Sequence, residues 1–88
     1  MTLALHDTEG YVGDLGSVNG LIQLREAFIL YPLLNSFLTK GFSEQLDDLE
    51  IELDYAIQRV DDPVIRDGGE YLLSLIRVCE NAAYITDE

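Results

Sequence analysis

The chain has 88 residues, enough for one small domain near the lower end of what supports its own core. Its formal charge of -12, from 17 acids against five bases, excludes a phosphate backbone or an anionic membrane as a direct partner, because such surfaces are gripped by clustered Lys and Arg. With 48% hydrophobic residues the chain is too apolar to stay disordered, and Cys79, the only cysteine, excludes an internal disulfide.

The first sixteen residues contain Gly10, Gly13 and Gly16 among turn-forming Asp, and they read as a glycine-rich arm with turns and at most a short edge strand. Gly13, Gly16 and Gly20 precede a helix, but their spacing fits neither nucleotide-binding glycine pattern and no lysine follows to meet a phosphate. His6, Asp7 and Glu9 are metal-ligand types, yet a lone histidine without a second imidazole or thiolate nearby reads as a solvated turn. The opening segment lacks the basic region and sustained apolar run of a signal peptide.

From residue 17 to 40 the spacing predicts a helix capped by Ser17, broken or restarted at Pro32 and stopped by Gly41. Apolar side chains point almost all round this segment. Its longest uninterrupted apolar run, Ala27 to Leu34, is far too short to span a bilayer. Two flanking helices cannot cover Ile22, Ile29, Leu33 and Phe37 on one side together with Phe28 and Tyr31 on another, so these six are expected to mediate self-association, as a homodimer or larger.

Residues 43–61 carry the clearest pattern. Leu46, Leu49, Leu53, Ala56 and Val60 recur at steps of three and four, which lines one seam of an amphipathic helix with Ser43 as its cap and Phe42 as a hydrophobic staple. Asp47 and Asp48 suit the positive end of the helix dipole. Glu50, Glu52 and Asp54 lie beyond its reach, where like charges repel, and this unexplained acidity points to a docking face. Ile51 and Tyr55 stack one turn apart on the outer side, giving a predicted partner-binding set of Glu44, Asp47, Asp48, Ile51, Glu52 and Tyr55.

Asp62 and Pro63 start a last helix, expected over 63–85, with Ile65, Leu72, Ile76, Cys79 and Ala83 as its buried stripe. Cys79 is expected to be a small buried hydrophobe. The expected fold is therefore all-α, a small antiparallel bundle of three to four helices behind a glycine-rich arm. No nucleophile, base and oxyanion constellation is visible, so the chain is read as non-enzymatic, without cofactor or metal. The expected function is that of a small acidic interaction protein that binds a basic surface of a partner protein in the manner of inhibitors, immunity proteins, phage antagonists or nucleic-acid mimics. The alternative is a self-associating structural or assembly subunit whose acidity serves solubility. Composition and the lack of disulfides suit the cytoplasm, either bacterial or that of a host cell if the chain is phage-encoded.

Overall fold

The computed structural model of the chain describes residues 2–87. Among them run β1 (Thr2–Asp7), β2 (Gly10–Ser17), α1 (Val18–Ala27), α2 (Pro32–Lys40), β3 (Phe42–Ser43), α3 (Leu46–Ile57), α4 (Pro63–Val78) and β4 (Ala83–Asp87). The strands form one antiparallel sheet in the order β2-β1-β4-β3. This mixed α/β architecture overturns the all-α expectation: the chain is not a helical bundle. The largest errors lie at the ends, where the glycine-rich arm is a hairpin and the final turns of the expected last helix are a central strand; a smaller one lies at Phe42–Ser43, expected as staple and cap of the acidic helix and found as β3.

The hairpin explains why glycine recurs every third residue. In the β1–β2 register Leu3, Leu5 and Asp7 lie opposite Gly16, Gly13 and Gly10, and the register slips twice, between Leu3 and Ala4 and between Leu5 and His6. Each slip is a bulge that leaves an extra residue on β2, Leu15 in one case and Val12 in the other, and both pack against the core. A period of two plus one bulged residue gives a period of three. Gly10 and Gly16 take φ values of 127° and 82°, which L side chains rarely adopt. Gly13 leaves room for α4, since a Cβ there would stand 2.8 Å from Leu75 Cδ2 and the leucine would have to shift. Glycine spacing that looks like flexibility is the signature of a bent edge strand.

The turn after β1 is tied to the far end of the chain. Asp7 accepts hydrogen bonds from the amides of Glu9 and Glu80, each at 2.8 Å, and Thr8 Oγ1 donates to the Glu80 carbonyl at 2.9 Å. The Glu80 amide does most to hold the Asp7 carboxyl below its ordinary pKa. Asn81, with φ of 69°, turns the chain there and donates to Thr8 Oγ1 at 3.1 Å. Helix α4 thus stops at Val78, and Ala83–Asp87 enters the sheet between β1 and β3, sending Ala83 and Ile85 toward Leu5 in the core.

Residue chemistry sets the helix ends. Ser17 Oγ accepts from the Gly20 amide at 3.1 Å, Asp62 Oδ1 from Val64 at 2.9 Å, and Gly41 closes α2 in the left-handed region with φ of 74°. Ser43, by contrast, belongs to β3, and its hydroxyl accepts from the Gln45 amide at 3.1 Å; Gln45 occupies the α3 cap without a side-chain bond.

The seam of α3 is interior at Leu49, Leu53, Ala56 and Ile57, facing Leu72, Leu73 and Ile76 of α4. Phe28 and Phe37, expected at a self-association surface, are 0% and 1% exposed. Phe28 is closed in by Tyr31 and by α4, where Gly69 leaves room for its ring tip, and both phenylalanines belong to one core with Leu5 and Ala83 of the sheet, a layer that a three-helix count lacks. Cys79 follows α4, is half-buried, and donates to the Leu75 carbonyl at 3.4 Å. Burial, reinforced by the Asp7 charge, pushes its pKa to about 11. A maleimide reagent at neutral pH is therefore expected to label Cys79 slowly in the native protein and rapidly in denaturant, read by mass shift against time. Equal rates in the two states would contradict this environment.

Candidate functional site

The predicted docking residues separate into three groups. Glu44, Asp47 and Asp48 are exposed at the start of α3, where they line an open polar groove of about 480 Å³ with Glu50, Arg77 and Asn81. Ile51 is 69% exposed beside them. Arg77 Nε bonds Glu50 Oε1 at 2.9 Å, the single ion pair among the described residues.

Glu52 has a different task. Its Oε2 accepts from the Leu34 amide at 2.6 Å, at the N-terminus of α2. Tyr31 occupies the cap of that helix and has no capping side chain to offer, so a carboxylate from α3 meets the dipole instead. Much of the acidity that seemed unexplained is accordingly used inside the fold. Glu50 pairs with Arg77 and Glu52 caps α2, while Asp54 accepts a long 3.5 Å bond from Gln58. Glu52→Ala is expected to cost about 1–2 kcal/mol of stability, with Glu52→Gln retaining part of it by keeping an acceptor, as chemical denaturation would measure.

Tyr55, 50% exposed, is packed by its own chain. The Arg59 guanidinium lies 3.5 Å from its ring centroid and the Tyr31 ring meets it edge-on at 6.2 Å. Tyr31 also touches the Phe28 ring at 6.2 Å, so these aromatics connect the surface of α3 to the core. Of the remaining self-association residues, Ile22 and Leu33 are half-buried, whereas Ile29 stands 62% exposed beside Leu30 at 88% in the turn between α1 and α2.

Two features were invisible to a helical reading. One is an apolar cavity of about 180 Å³ between α1 and α4, floored by Gly68 and walled by Leu21, Leu24, Ile65 and Leu72. The other is a row of rings across the sheet. Tyr11 lies opposite His6, His6 opposite Tyr84, and Tyr84 opposite Phe42, so one residue from each strand projects from the same face. His6 meets Tyr11 edge-on at 5.6 Å and Phe42 meets Tyr84 at 5.1 Å. The four rings belong to no part of the apolar core, and Tyr11, Phe42 and Tyr84 are 56%, 39% and 36% exposed. Alternation in Leu3-Ala4-Leu5-His6 and in Ala83-Tyr84-Ile85 is the signal that could have found this face.

No group of His, Cys, Asp and Glu side chains among the described residues is placed to hold a metal ion. No helix among them is long and apolar enough to cross a membrane. Comparison with protein-family models, with curated proteins and with solved structures finds no match for this chain.

Proposed function

We propose that this protein is a small acidic binding module that docks on a basic surface of a partner protein, with the groove at the start of α3 as its contact. The observation that carries this reading is that Glu44, Asp47 and Asp48 have no cationic side chain among the described residues to pair with: apart from the helix dipole that Asp47 and Asp48 meet in the first turn of α3, they line one side of an open groove whose lone cation, Arg77, is bonded to Glu50. Exposed like charges destabilise the free protein slightly, and a cationic partner would relieve that repulsion on contact. Ile51 adds an apolar anchor beside the carboxylates.

The test is capture from a native-host lysate on immobilised protein, repeated with the Asp47→Lys, Asp48→Lys double variant. Because charges more than about 10 Å apart are screened at 0.1 M ionic strength, the captured partner should elute as salt rises, and the double variant should slow its association at least about tenfold. Retention that is indifferent both to salt and to the double variant would exclude the groove. A second reading, self-assembly, is favoured only by the Ile29–Leu30 turn, whose two large apolar side chains stand in water. In that case sedimentation would show a dimer strengthened by moderate salt, which weakens repulsion between two chains of charge -12.

A further inference from the structure

We propose that the ring-bearing face of the sheet, where Tyr11, Phe42 and Tyr84 are partly exposed around the buried Ala4, is a second binding surface and takes an extended arginine-bearing segment of a partner protein, with guanidinium groups stacked on the row Tyr11–His6–Tyr84–Phe42. Three observations lead there. The row is continuous: each residue is the register partner of the next, and ring contacts of 5.6 and 5.1 Å close its two ends. It also has the charge that suits a cation. Asp14, opposite Ala4 in the register and bonded at 2.9 Å to the Tyr11 hydroxyl, shares this face, while the five basic residues, Arg25, Lys40, Arg59, Arg66 and Arg77, all lie in or just after helices. Finally, the chain already uses this chemistry, for Arg59 covers the Tyr55 ring at 3.5 Å.

Dimensions select the occupant. Four strands about 4.8 Å apart place the outer rings about 14 Å from each other, and with β3 only two residues long beside strands of five to eight the face measures at most on the order of 300 Å². A stable homodimer buries about 800 Å² on each side, so a second copy of this chain is poorly matched, and the charge it carries opposes the approach. An extended segment rises about 3.3 Å per residue with alternate side chains on one face, so five residues bearing arginine at the first, third and fifth positions match the row. Arginine is favoured over lysine because its planar, weakly hydrated guanidinium stacks on rings as well as being attracted by them. The inference shares with the proposed function the cationic nature of the partner, but rests on a different surface.

The two are separable by one titration. Isotope-labelled protein would be titrated with the peptide acetyl-RGRGR-amide, its lysine counterpart acetyl-KGKGK-amide and the neutral acetyl-QGQGQ-amide, following backbone amide and aromatic ring resonances. The expected result is saturable shifts of Tyr11, His6, Tyr84 and Phe42, with the arginine peptide binding at least about fivefold more tightly than the lysine peptide and the neutral one not binding. Tyr84→Ala should weaken the arginine peptide about three- to tenfold at unchanged net charge, and Tyr84→Leu, which retains apolar bulk in β4, should do the same if the alanine variant fails to fold. Shifts confined to α3 would overturn the inference while leaving the acidic groove standing. Equal affinity for the arginine and lysine peptides, or shifts of the row that depend on protein concentration without peptide, would overturn it as well.

Discussion

Phe28→Ala is expected to lower stability by about 3–5 kcal/mol, a large part of the total available to a domain of this size, on the order of 4–13 kcal/mol. Phe28 lies just beyond α1, is fully buried, and points its ring tip at a notch in α4. That notch exists because residue 69 is glycine: a Cβ there would lie 3.0 Å from Ile57 Cγ1 and 3.5 Å from Phe28 Cζ. Removing the ring leaves a space between α3 and α4 that neither helix can fill without shifting. The same ring supports Tyr31 and, through it, Tyr55, so the aromatic surface of α3 should loosen too. Urea unfolding combined with sedimentation gives the measurement. A variant as stable as the parent but altered in oligomeric state would place Phe28 at a surface between chains rather than in the core.

The interior of the chain was legible where helix chemistry is local. Ser17, Gly41 and Asp62 cap or stop helices through bonds that span two to four residues, and such bonds can be read from residue type alone. The buried part of the α3 seam, Leu49, Leu53 and Ala56, was legible for the same reason. Apart from Ser43, which lies in β3 and does not cap α3, what failed was non-local. Ala82 to Ile85 fits a helical stripe as readily as an alternating strand, and only the presence of β1, with backbone groups to satisfy along its second edge, decides for the strand. With those residues in a helix, Thr2–Asp7 would have no second strand at that edge, which is why it reads as an arm with at most a short edge strand.

The candidate site followed the same division. The position of negative charge on α3 was evident from sequence, but its meaning was not, since the partners of Glu50 and Glu52 lie 27 and 18 residues away. Those two acids are fixed by Arg77 and by the start of α2, which narrows the groove acids without a side-chain partner to Glu44, Asp47 and Asp48. The aromatic row is the extreme case. Its members come from four separate strands, so spacing along the chain can mark the outward side of a single strand but not which strands lie side by side.

Ile85→Pro is expected to have an effect comparable to that of Phe28→Ala, and it tests the part of the fold that sequence misread. If the last helix ran over 63–85, residue 85 would be its terminal residue, where a proline would remove one bond at a frayed end and leave the rest of the helix in place. In the sheet, the Ile85 amide donates to the Gly41 carbonyl at 2.8 Å, while on its other side Ile85 pairs with Leu5. Proline deletes that donor and places ring carbons where the proton pointed, so the Gly41 carbonyl loses its bond and is pushed away. Gly41 is also the left-handed residue that ends α2, so the strain passes to that helix and to the two-residue strand β3. The lost bond, the clash and the missing isoleucine packing together should cost roughly 3 kcal/mol or more. Ile85→Val is the control; it preserves the amide and should cost only about 0.5–1.5 kcal/mol. Chemical denaturation with far-ultraviolet dichroism distinguishes the cases, and a proline variant as stable as the valine one would remove β4 from the centre of the sheet.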